Sequence, residues 1–85
     1  MSRLAVRVMV PDVWDEAPLE LAASATVGDL KREALDRLLV GRDPAGYEVK
    51  FRGASLYDEN RSLADAGIVE NANLIVLPRR RRPVR

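Results

Sequence analysis

The spacing of apolar residues changes twice along the chain, and few folds accommodate that succession. Leu4, Val6, Val8 and Val10 alternate with Ala5, Arg7 and Met9, the period of two that marks a half-buried strand. Pro11 and Asp12 interrupt it, residues 12–18 (DVWDEAP) read as a hairpin loop, and Leu19, Leu21 and Ala23 resume the alternation as a second strand. At Thr26 the period lengthens. Val27, Leu30, Ala34 and Leu38, with Leu35 and Leu39 beside them, fall on one face of a helix. Thr26 stands at its N-cap with Asp29 three residues on, a capping-box pattern, while Gly41 and Pro44 lie just past its end. The period then returns to two: Tyr47, Val49 and Phe51 alternate with Glu48, Lys50 and Arg52 as a third strand that Gly53 turns.

Three shorter signals complete the chain. Leu56 is expected in a short fourth strand. Ser62 and Asp65 repeat the cap pattern for a single turn closed by Gly67, with Leu63 and Ile68 inward, and Leu74 and Val76 form the inner face of a last strand. Strand, strand, helix, strand, short strand, turn and strand make an α+β domain in which one helix covers one face of a sheet.

Composition narrows the function. Eighty-five residues suffice for one domain. With no cysteine there is no disulfide and no thiol nucleophile; with no histidine, the commonest base near pH 7 and the commonest metal ligand are both missing. Ser24, Ser55 and Ser62 lack a histidine to activate them, and Lys31 and Lys50 show no desolvating pocket, so no enzyme, cofactor or metal site is expected. Asp12, Asp15 and Glu16 lack the spacing of a calcium loop. No apolar run approaches the ~20 residues of a membrane span, and the start is unlike a signal peptide, so a cytoplasmic protein is expected. The net charge of +1 hides an asymmetry. Up to Pro78, nine Lys/Arg face thirteen Asp/Glu; after it come five arginines and no acid.

The stretch from Phe51 through Gly53, Leu56, Asp58, Arg61-Ser62-Leu63, Asp65 and Gly67-Ile68, followed by Leu74-Ile75-Val76-Leu77, resembles the ubiquitin-like family. Thr26-Val27 and Leu30-Lys31 match the opening of that family's helix, and one residue is inserted between Asp58 and Arg61. The resemblance covers nearly all of residues 6–77. It implies the β-grasp fold: a mixed sheet of four to five strands on one helix, a ubiquitin-like domain over residues 1–78 and a basic tail over 79–85. It also implies that the last strand runs between the first and third. Two departures bear on function. The arm that ends in two glycines in conjugated members reads PRRRRPVR here, so ordinary conjugation is not expected. Lys50 stands at the centre of the apolar face that most ubiquitin partners use, and Ala54 stands where a chain-building lysine would be. Leu63-Ala-Asp65-Ala-Gly67-Ile68 is also similar to accessory proteins of bacterial type VII secretion.

Two function classes follow from the resemblance. One is a non-enzymatic binding module, an adaptor or accessory subunit; the other is a bacterial-type protein modifier with unconventional maturation of its C-terminus. The candidate partner-binding residues are Met9, Trp14, Lys50, Ile75 and Leu77. Ile75 and Leu77, outward if Leu74 and Val76 are core, either complete cross-strand packing with Met9 or form a docking patch rimmed by Arg7, Lys50 and Arg52. Trp14 either folds back over the sheet edge or anchors a partner. The tail (Arg79, Arg80, Arg81, Arg82 and Arg85) is either a solvated end or truncation boundary, or a mobile electrostatic arm for an acidic protein, with weak non-specific nucleic-acid contact. With no aromatic interleaved, base stacking is not expected.

Overall fold

Each change of apolar period becomes a change of element. The computed structural model describes residues 3–38 and 43–79. Strand β1 (Arg3–Val10) turns into β2 (Asp15–Ala22), followed by helix α1 (Val27–Leu38), β3 (Tyr47–Phe51), β4 (Ala54–Ser55) and β5 (Asn73–Pro78). The five strands form one mixed sheet in the order β2-β1-β5-β3-β4. The last strand thus lies between the first, to which it is parallel, and the third, to which it is antiparallel.

The core lies between one sheet face and α1. Val6, Val8 and Val10 of β1, Ala17 and Leu19 of β2, Val49 of β3 and Leu74 and Val76 of β5 meet Val27, Leu30, Ala34 and Leu35 of the helix, all buried. Leu63 and Ile68 close one end. Each such Val, Leu or Ile contributes roughly 1.5–3 kcal/mol by leaving water. Leu38 packs at the margin, while Leu39 and Gly41 lie outside the described residues.

The start of α1 is doubly secured. The Asp29 N–H donates to Thr26 Oγ1 (3.0 Å) and the Thr26 N–H donates to the Asp29 carboxylate (3.1 Å), so the capping box is reciprocal. The next N–H donors are taken up from outside the helix: Val27 donates to Arg61 O (3.0 Å) and Gly28 to Glu59 O (2.9 Å). This approach is close. A Cβ on residue 28 would stand 3.3 Å from Glu59 O. The Ser62 turn forms as read, with the Asp65 N–H on Ser62 Oγ (3.0 Å) and Gly67 at φ 85°.

Two boundaries differ from the sequence reading. Residues 15–18 are strand, not loop. A 3₁₀ turn over Pro11–Val13, closed by Trp14 in the left-handed region (φ 51°), reverses the chain so tightly that Asp15 already pairs with Val10. β2 is an edge strand, which accepts Pro18 and polar residues; that polarity masked it. Leu56 lies just beyond the two-residue β4, though its N–H still donates to Val49 O (2.8 Å).

Candidate interaction face

The face of the sheet turned away from α1 carries the candidate residues, and strand register places them. Met9 of β1 stands beside Ile75 of β5, Ile75 opposite Lys50 of β3, and Lys50 opposite Ser55 of β4; on the other side Met9 faces Glu16 of β2. One row, Glu16–Met9–Ile75–Lys50–Ser55, therefore crosses all five strands. Along strands β1 and β5, alternate residues point to opposite faces, so burying Val8, Val10, Leu74 and Val76 drives Met9 and Ile75 outward. They are 37% and 40% exposed. Leu77, one step along β5 and opposite Glu48, is half-buried.

The surrounding charges are unequally compensated. Arg7 donates to Glu16 at 3.0 Å, and Arg3 lies 3.8 Å from Glu20. Arg52, left-handed at φ 55° in the turn to β4, holds its guanidinium 5.1 Å from the centre of the Phe51 ring. The half-buried Lys50 side chain has no ion pair and no hydrogen bond among the described residues. Arg7, Met9, Glu16, Asn73, Leu74 and Ile75 line a shallow depression of about 230 Å³ beside the row.

Trp14 does not fold back over the sheet edge. It is 87% exposed at the tip of the first hairpin, with Val13 beside it at 38%. The turn follows the end of β1, which runs parallel to β5 with Met9 beside Ile75, so Trp14 sits beyond that pair, toward the Leu77 end of the face.

A second cluster escaped the sequence reading. Lys31 does have a desolvating surround: it is buried, with its ammonium donating to Tyr47 O (3.0 Å) and lying 2.8 Å from both oxygens of the Glu59 carboxylate. Arg79 joins from the other side, Nη2 to Glu59 at 3.1 Å, Nε to Ala45 O at 3.0 Å and its own N–H to Gly46 O at 2.9 Å. Arg79, expected in a mobile arm, is instead held against the body, because the β5 pairing with the start of β3 runs one residue past Pro78. Arg80, Arg81, Arg82 and Arg85 lie outside the described residues. The signal for Lys31 was its spacing, four residues from both Val27 and Leu35, on the buried stripe of α1.

No protein-family model and no curated protein matches the sequence. Solved structures do match the fold. The ubiquitin of Caldiarchaeum subterraneum superimposes with a TM-score of 0.79 at 16% identity, covering 96% of this chain and all of that one. The ubiquitin-like domain of the Arabidopsis thaliana protein At2g32350 gives 0.76 at 20% identity, covering 100% of this chain and 86% of that one. This chain has the ubiquitin-like β-grasp fold. The N-terminal ubiquitin-like domain of the 4931431F19Rik protein, at 22% identity over 98% of this chain and 81% of that one, gives 0.73. Within this ubiquitin-like fold, no described helix is long and apolar enough to cross a membrane.

Proposed function

We propose that this ubiquitin-like protein is a non-enzymatic binding module, an adaptor or accessory subunit of the kind found in type VII secretion, that docks a protein partner on the outer sheet face. One observation carries the reading: Met9 and Ile75, large and apolar, stand side by side and over a third exposed on a face that the helix does not cover. Apolar side chains clustered on an otherwise polar surface mark an interaction site. Trp14 lies toward the same end and adds the residue type most enriched among interface anchors. The arginines after Arg79 would add electrostatic attraction for an acidic partner and weak non-specific contact with nucleic acid. The second reading is a protein modifier with unconventional maturation of its C-terminus.

Ile75→Asp tests the docking face. The substitution is on the solvent side of β5, so the melting transition should stay, while capture of partners from the cell of origin, with the chain as bait, should disappear. Capture unchanged by Ile75→Asp removes this face. Recovery of the chain as an adduct on other proteins, by intact mass, would favour the modifier.

A further inference from the structure

Resting on the docking reading, we infer that the partner segment carries a carboxylate, and that Lys50 is its seat. Lys50 is cross-strand neighbour to Ile75, with Cβ atoms about 5 Å apart for such a pair, and Ile75 neighbours Met9 in the same row. Strands are spaced ~4.8 Å, so the row from Met9 to Lys50 spans only about 10 Å. A ligand that covers the two apolar side chains also removes water from Lys50. That removal carries a cost that no group among the described residues offsets. Arg7 and Arg3 already face Glu16 and Glu20. Glu48, one row along on the same strand, makes no ion pair with Lys50, and Ser55 opposite it makes no hydrogen bond to its ammonium, so among the described residues Lys50 is a cation without a carboxylate.

An ammonium stripped of water without a partner is strongly penalised, whereas a carboxylate placed on it turns the same burial into a specific contact. A purely apolar segment is disfavoured at this position and a cationic one is repelled. The row is also polar in one direction. Glu16, bonded to Arg7, closes the β2 side, and Lys50 opens the β3 side, so a segment with an apolar anchor on Met9 and Ile75 and an acid about one strand spacing away docks in one orientation only. The partner is an apolar protein segment bearing Asp or Glu next to its anchor.

Selecting displayed random peptides against the full-length chain, with parallel selection against Lys50→Met, tests this directly. Peptides that bind the face, identified by loss of binding to Ile75→Asp, should carry Asp or Glu beside an apolar residue when selected on the natural chain and lose that acid when selected on Lys50→Met. A synthetic peptide of the selected sequence should bind Lys50→Glu at least tenfold more weakly, keep most of its affinity for Lys50→Arg, and weaken with salt. Thermal melts of each variant matching the natural chain keep the comparison free of unfolding. Face-binding peptides without an enriched acid, or with affinity indifferent to Lys50→Glu, overturn the carboxylate seat and leave the docking face standing. Peptides that bind but ignore Ile75→Asp, or a selection yielding no binder, overturn both.

Discussion

Trp14 sits where the fold would be better served by glycine. A left-handed backbone costs an L-residue roughly 1–2 kcal/mol, and this indole, 87% exposed, recovers nothing through packing. Backbone strain that packing offsets so little fits the proposed role of Trp14 as a partner anchor. Trp14→Gly should relieve that strain while losing up to about 1 kcal/mol through a freer unfolded chain, so the melting temperature should move by no more than a few degrees. A packed tryptophan would instead cost about 3–5 kcal/mol on truncation. A melt of Trp14→Gly lowered by more than about 10 °C would return the residue to the fold. An unchanged melt with weakened partner capture assigns it to the interface.

Among the elements, α1 shows what the sequence made legible. Its start was readable because a cap is local: Thr26 and Asp29 need only each other, three residues apart. The hydrogen bond from the Thr26 N–H, opposed in part by burial and aided by Thr26 Oγ1 and the Arg32 guanidinium, holds the Asp29 carboxyl below its ordinary 3.8. A carboxyl with a lowered folded pKa stabilises the protein fully above the ordinary value, and that contribution disappears as pH falls from there through the folded value. Asp29→Asn should therefore lower stability at neutral pH and lose less on acidification between about pH 5 and 2 than the natural chain, measured by denaturant unfolding at each pH. Strand β2 was half hidden for the opposite reason. Ala17 and Leu19 are its buried residues, but Asp15, Glu16 and Pro18 look like loop unless the edge position is known, and that depends on where β1 and β5 lie. The outer row was legible by alternation alone, since Met9 and Ile75 follow from the inward Val8 and Leu74. The Lys31–Glu59–Arg79 cluster joins residues 28 and 20 positions apart, and no local pattern announces such a meeting.

At the scale of the molecule, Arg79 extends the backbone pairing of β5 one residue past Pro78. Removing residues 80–85 should leave the melting temperature nearly unchanged. Removing Arg79 as well deletes its N–H bond to Gly46 O, worth about 1 kcal/mol, and a half-exposed ion pair to Glu59 worth less, which for a domain this size lowers the melt by roughly 4–8 °C. Equal melts for the two truncations would show that this contact adds no stability. The position of β5 has a further consequence for how the protein comes into being. Synthesis is vectorial, and the strand that joins the two halves of the sheet is the last to be made. Until residues 73–78 have emerged from the ribosome, the β1–β2 and β3–β4 hairpins have no common neighbour, and each presents an open edge along the gap that β5 will fill. Nascent chains stalled before Asn73 should therefore be soluble only with a chaperone at hand, and release of the last strand should join the two aggregation-prone inner edges into one continuous sheet in a single step.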